Sequence, residues 1–172
     1  MKEFPIDHAA PVSFGEKLAG SQAFANLFRD GMALVEETAA YLDGPGRQES
    51  KKLERAAALA YATESMRLTT RLMQLASWLL LHRAVKEGEM TLSQANKEKS
   101  KVKLSVGEPG DASTIKLLPQ RLRDLIDRSR KLNDQVRRLD ANIYAPSIAP
   151  DQAPTVSPVE RQLGLLKAAF ER

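Results

Sequence analysis

Apolar and small residues recur at alternating steps of four and three along the first part of the chain, which predicts a helix that packs along a seam. Ser13 and Glu16 can form a capping box at its start, and the run Asp43–Gly46 ends it, because glycine and proline break helices. The seam consists of Phe14, Leu18, Ser21, Ala25, Phe28, Met32, Val35, Ala39 and Leu42. The apolar face is widened by Phe24, Leu27, Leu34 and Tyr41.

A second helix is predicted from Ser50 to Glu87, ending at Gly88. Two adjacent stripes form one broad apolar face: Tyr61, Ser65, Leu68, Leu72, Leu75, Leu79 and His82, and beside them Leu59, Ala62, Met66, Thr69, Met73, Ala76 and Leu80. The opposite face begins with Arg67 and Arg71 and then turns apolar. Because the end of this helix is apolar nearly all round, it must be covered on more than one side.

The third long helix is predicted from Pro119 to Asn142, with an unbroken seam of Leu118, Leu122, Leu125, Ser129, Leu132, Val136, Leu139 and Ile143. Acid-before-base pairs support it at the favourable spacing of four; they are Asp124/Arg128, Asp127/Lys131 and Asp134/Arg138. A short helix over Thr91–Lys99 can be capped by Thr91 with Gln94. The pattern predicts an all-α fold, an antiparallel bundle of three long helices running up, down and up.

Prolines at a spacing of four prevent a helix after the bundle, because each ring removes a backbone donor and clashes with the preceding turn. They are Pro146, Pro150, Pro154 and Pro158. The sequence predicts an N-terminal arm over 1–12, the bundle over 13–143, and a disordered, proline-spaced C-terminal tail over 144–172. Ser157 and Pro158 then open a short amphipathic helix. One face of that helix carries Val159, Leu163, Leu166 and Phe170, the candidate partner-binding residues of the tail.

The composition narrows the possible chemistry. The chain of 172 residues has no cysteine, which excludes disulfides and thiolate sites. The N-terminus lacks the features of a signal peptide and no apolar run is long enough to cross a membrane, so a cytoplasmic protein is expected. A net charge of +4 permits acidic partners or nucleic acid without arguing for either.

Trp78, Leu81 and Val85 are the candidate dimer or partner surface, because they interrupt the otherwise polar face of the second helix. A tryptophan with two aliphatic residues is a plausible interface anchor. The alternative is that the segment Thr91–Lys103 folds back and covers them. His82 lies on the apolar stripe, where a lone histidine is usually a core residue.

Neither a catalytic site nor a metal site is predicted. No carboxylate stands at a metal-ligand spacing from His8 or His82. Asp124 and Asp127 each have a basic residue four positions on, which is typical of a solvated face rather than an acid–base pair. The lysines between Lys97 and Lys103 lack interleaved aromatic residues for base stacking. We therefore expect no cofactor and no enzymatic activity.

The segment from Arg71 to Val85, with Gly88-Glu89-Met90, Gln94-Ala95 and Glu98-Lys99 after it, resembles the RcdA family, alphaproteobacterial regulators of the degradation of the cell-cycle regulator CtrA. Phe4-Pro5-Ile6 and the proline-rich tail fit the same pattern. The resemblance implies a dimeric three-helix bundle. It also implies an adaptor that helps deliver regulatory proteins to the ClpXP protease, alongside response-regulator-like partners such as CpdR and PopA.

The function expected from the sequence is therefore a non-enzymatic, homodimeric adaptor for regulated proteolysis during the cell cycle. Its partners would be a ClpX-type protease complex, response-regulator-like proteins and regulator cargo. The alternative is a basic helical protein that binds nucleic acid or associates with the transcription machinery.

Overall fold

The computed structural model of the protein describes residues 21–102 and 111–145. Within these residues the chain forms six helices and no strand, so the predicted all-α class is confirmed. The helices are α1 (Gln22–Asp43), α2 (Pro45–Ser50), α3 (Arg55–Lys86), α4 (Leu92–Lys99), α5 (Ala112–Ile115) and α6 (Gln120–Ile143). The predicted start of the first helix near Ser13, the N-terminal arm and the proline-spaced tail after Ala145 lie outside the described residues.

The boundaries of the long helices follow their local signals, with one correction. Ser21 caps α1, its hydroxyl accepting a hydrogen bond from the backbone N–H of Phe24. Gly88 adopts a φ of +77°, which suits glycine, directly after α3. The expected start of α3 at Ser50 is wrong: Pro45 opens the short helix α2, since proline is favoured in the first turn, and α3 begins at Arg55.

The direction of the third long helix differs from the prediction. The contacts between α3 and α6 follow the same order in both helices: Arg71 bonds to Ser129, and further along both helices Trp78 bonds to Asp140. These two helices are therefore parallel. Helix α1 runs opposite to both, because Phe24 packs on Trp78 while Glu37 pairs with Arg128. The chain runs up, down and down.

The connection between α3 and α6 makes this topology possible. It spans residues 87–119 and contains α4 and α5, both of which pack against α3. Such a connection is long enough to return the chain to the end of the bundle where α3 begins, as the crossover connections of other bundles do. The sequence prediction assumed the simplest up, down and up topology and expected only the short helix over Thr91–Lys99 in this segment.

The core lies between the three long helices. The seam predicted for α6 is buried as expected, apart from a half-buried Leu139. In α1, however, the buried positions are Phe24, Leu27, Gly31, Leu34, Thr38 and Tyr41. The predicted seam lies at the edge of the core, and its Ala39 is exposed. The buried positions also follow a three–four pattern, but glycine and threonine at two of them hid it from a search for apolar residues.

Candidate protein-docking surface

The outward side of α3 carries a row of exposed apolar side chains spaced seven residues apart. The exposed fractions are 71% for Leu59, 71% for Met66, 67% for Met73 and 52% for Leu80. The sequence placed all four on the broad apolar face of this helix, but the structure leaves them exposed. At ~1.5 Å per residue the row extends over about 32 Å. We call these four residues the outward stripe.

The neighbours of the outward stripe are small and uncharged. Three of them carry hydroxyl groups that donate to carbonyl groups of the same helix: Thr69 to Ser65, Thr70 to Met66 and Ser77 to Met73, at 2.9, 3.0 and 2.8 Å. Because these hydroxyls are already satisfied, the side chains turn their apolar parts outward. The face is therefore less polar than its composition indicates, and the exposed charged residues nearest to it, Arg67 and Arg83, lie at its edges.

The predicted surface residues Trp78, Leu81 and Val85 lie in different environments. Trp78 is only 1% exposed, and its indole Nε1 donates to Asp140 Oδ1 at 2.8 Å. Leu81 and Val85 are half-buried. The indole is thus enclosed by the bundle itself, whereas Leu81 lies at the edge of a groove.

The groove lies between α3 and α4 and has a volume of about 470 Å³. Its lining is Ser77, Leu80, Leu81, Ala84, Glu98, Lys101 and Val102. The two charged residues pair with each other at 2.8 Å, so the walls present mainly apolar surface. We call this cavity the α3–α4 groove; it continues the outward stripe through Leu80.

Helix α4 is held in place by contacts with the ends of α3 and α6. The predicted capping box is confirmed, with Thr91 and Gln94 bonded reciprocally. Ala95 is fully buried. Lys99 Nζ binds the carboxylate of Asp140 at 2.8 Å and lies 3.8 Å from the centre of the Tyr144 ring. Helix α4, which forms one wall of the groove, is therefore held in a fixed position against α6.

His82 is a fully buried core residue beneath this anchor. Its Nδ1 donates to the carbonyl oxygen of Trp78 at 2.9 Å, which leaves Nε2 to accept a hydrogen bond from the Tyr144 hydroxyl at 3.2 Å. Burial lowers the pKa of His82, despite the opposing effect of that backbone hydrogen bond. Burial also raises the pKa of Tyr144 to about 12, with a contribution from Asp140. Both rings are therefore neutral near pH 7.

Arg71 is buried, although the sequence analysis placed it on the charged face of the second helix. It is 6% exposed and donates to Ser129 Oγ at 2.8 Å. Desolvation and the nearby charge of Arg130 lower its pKa, and Glu64 partly offsets them. Arg67 pairs with the buried Glu64 at 2.8 Å. The arrangement links α3 to α6 and shows no nucleophile or acid–base pair.

The remaining charges form a solvated surface. Asp124 and Asp127 are exposed; Asp127 pairs with Lys131 as predicted, at 3.3 Å. The expected Asp124/Arg128 pair is replaced by a bond from Arg128 to Glu37 of α1 at 2.7 Å. No group of side chains suited to a metal ion occurs among residues 21–102 and 111–145. In the same residues no helix is both long and apolar enough for a transmembrane span.

The fold and this surface define a class: a helical bundle that exposes one uncharged helix face beside an apolar groove. The candidate tail residues Val159, Leu163, Leu166 and Phe170 lie outside the described residues.

The outward stripe itself was missed because periodicity gives the width of an apolar face but not which part of it is covered. The signal in the sequence that could have indicated it is the recurrence of large uncharged side chains every seven residues from Leu59 to Leu80.

Comparisons with known proteins place the chain in a family. The family described as a protein of unknown function, DUF1465, matches residues 15–170. A crystal structure of RcdA from Caulobacter crescentus CB15 is 52% identical, with a TM-score of 0.64, and the match covers 77% of this chain and 99% of that one. No curated protein matches the sequence. The chain belongs to the RcdA family.

Proposed function

We propose that the protein is a non-enzymatic adaptor that binds regulatory proteins and helps deliver them to the ClpXP protease during the cell cycle. The observation that carries this proposal is the uncharged outward face of α3, mounted on a rigid bundle. Exposed apolar patches of this kind mark sites of protein–protein contact. Membership of the RcdA family supports a role as an adaptor. The partners that we propose are a ClpX-type complex, response-regulator-like proteins and regulator cargo.

The protein would act by recognition rather than by chemistry. Methionine side chains such as Met66 and Met73 are flexible and polarisable, and they adapt to partners of different shape. The outward stripe also suits a helix laid along it, because its period matches the apolar face of a partner helix. We propose that the homodimer contact lies on the same face of α3, together with Leu81 and Val85, so that a partner and the second copy of the chain compete for this face.

The tail is proposed to contribute a second, tethered contact. Its apolar residues stand at helical spacing, and a tether turns a weak second contact into an intramolecular one. Replacing Leu163, Leu166 and Phe170 together by Ser should slow delivery of at least one cargo. It should leave the melting temperature nearly unchanged.

A reconstituted degradation assay tests the proposal. Met66→Glu with Met73→Glu should reduce the degradation rate of an adaptor-dependent cargo by about tenfold or more, because buried charges oppose docking. Ala39→Glu on the exposed side of α1 is the matched control and should leave the rate unchanged. Full delivery by the double variant, with its helical circular dichroism intact, would contradict the proposal.

The nucleic-acid alternative receives less support from the surface. Several cations are paired with acids, among them Arg83 with Glu87 and Arg128 with Glu37. Binding to DNA or RNA should therefore be weak, non-specific and steeply dependent on salt. Nanomolar, sequence-selective binding at physiological salt would favour the alternative over the adaptor.

A further inference from the structure

The α3–α4 groove is an apolar site without an occupant in the described residues, and its features restrict what can fill it. Its volume of about 470 Å³ falls within the range of about 300–1,000 Å³ that is typical of binding pockets. The charges of Glu98 and Lys101 neutralise each other across the rim. The site therefore suits aliphatic and aromatic side chains, and it offers no net charge to attract an acidic or a basic peptide.

The described part of the chain ends beside this groove. Tyr144 bonds to His82 of α3 and lies under Lys99 of α4, while Leu81 and Ala84 line the groove within one helical turn of His82. The chain leaves α6 at Ala145, at the same end of the bundle. Any segment that follows closely after this point is held near the groove by the covalent chain.

The segment that follows has the required length and pattern. Thirteen residues, 146–158, separate Ala145 from Val159, and at ~3.1 Å per residue they span up to about 40 Å. This distance exceeds the diameter of a helix several times. Beyond them, Val159, Leu163, Leu166 and Phe170 supply apolar side chains at steps of three and four, which is the pattern that fills an apolar groove.

We infer that residues 159–170 of the same chain occupy the α3–α4 groove when no partner is bound. The contact need not be strong in itself. Short flexible linkers produce effective concentrations in the millimolar range, so an intrinsic dissociation constant on the order of 1 mM holds the segment in the groove about half of the time. A partner that binds the groove or the tail displaces this contact. Only this displacement by a partner rests on the proposed function; the docking of residues 159–170 in the groove does not.

Disulfide trapping tests the docking directly, because the natural chain has no cysteine. A disulfide forms only where two Cα atoms approach within about 7 Å. The full-length variant with Ala84→Cys and Leu166→Cys reports on the groove. The matched control combines Leu166→Cys with Ala23→Cys, an exposed alanine at the same end of the bundle, next to Phe24, which packs on Trp78.

The groove pair should form an intramolecular disulfide at least about fivefold faster than the Ala23 pair. Adding Leu163→Ser and Phe170→Ser should reduce the rate of the groove pair to that of the control. Equal rates for the two pairs, a rate unaffected by the serines, or disulfides that join two chains would overturn the inference. Lys101→Cys on the exposed rim replaces Ala84→Cys if the latter disturbs folding. No protease or cargo enters this experiment, so its failure is distinct from a failure of the adaptor function.

Discussion

The ring of His82 stacks on the indole of Trp78, with the ring centres 3.9 Å apart and the planes inclined by 22°. Both side chains belong to the end of α3, and each is bonded to α6: Trp78 to Asp140 and His82 to Tyr144. Lys99 of α4 completes the cluster by binding the same carboxylate. One carboxylate of α6 thus bonds to α3 and to α4, the two helices that form the groove.

Replacing Asp140 by Ala should destabilise the protein by about 1–3 kcal/mol. The indole N–H of Trp78 is buried and loses its acceptor, and an unsatisfied buried donor costs about that much. Urea unfolding followed by circular dichroism measures the change. Asp127→Ala removes an exposed pair with Lys131 and should cost at most about 1 kcal/mol. Similar costs for the two variants would mean that Asp140 does not link the helices as described.

Stability should fall as the pH is lowered below about 6.5, the ordinary pKa of histidine. Burial lowers the pKa of His82 in the folded state, so the unfolded chain takes up the proton first. The free energy of unfolding then decreases with falling pH until the folded pKa is reached, by at most about 1.4 kcal/mol per pH unit. The charge of Asp140 opposes the lowering of the His82 pKa, and the charge of Lys99 reinforces it.

The pH effect can be assigned with His82→Gln, which carries no titrating group. Unfolding curves between pH 7.5 and 5 should show a smaller loss of stability for this variant than for the natural chain. Carboxylates contribute mainly at lower pH, which separates them from the histidine. Parallel stability curves for the two proteins over this range would show that His82 is not responsible.

Gly31→Val should destabilise the bundle by about 1–3 kcal/mol, the usual cost of overpacking a core. A Cβ atom at Gly31 would lie 2.6 Å from Leu79 Cδ1 and 3.5 Å from Leu132 Cδ2. Leu79 is fully buried, so its side chain has little room to move. Thermal unfolding measures the effect, with Ala33→Val on the exposed side of α1 as the control. A Gly31→Val protein as stable as the natural chain would show that α1 and α3 can separate without cost.

The proposed dimer should dissociate when a charge is placed on the outward side of α3. Met73→Glu and, separately, Leu81→Glu should each give a folded monomer in analytical ultracentrifugation, because each charge would be buried in the contact. Ala39→Glu on α1 should remain dimeric. Dimers that persist in both variants would place the contact elsewhere, and loss of helical circular dichroism in Leu81→Glu would place that residue in the monomer core.

The sequence alone determined the local structure of the described helices. Capping by Thr91 and Gln94, the end of α3 at Gly88 and the seam of α6 are short-range signals, and each depends on residues within one or two turns. The resemblance around Trp78 also identified the RcdA family, which the comparisons confirm. The run Asp43–Gly46 was interpreted only as a helix stop, so the sequence analysis missed α2 between Pro45 and Ser50.

Only the tertiary structure decided which helix faces are covered and in which direction α6 runs. Periodicity placed Met66 and Met73 on the apolar face of the helix and Arg71 on the charged face, yet in the packed chain the two methionines are exposed and Arg71 is buried. The reason is physical: α1 and α6 pack on the side of α3 that carries Arg71 and Trp78, which leaves the side with Met66 and Met73 exposed. Burial of a side chain depends on partners that are distant in sequence, so the docking surface on α3 is a property of the assembled bundle.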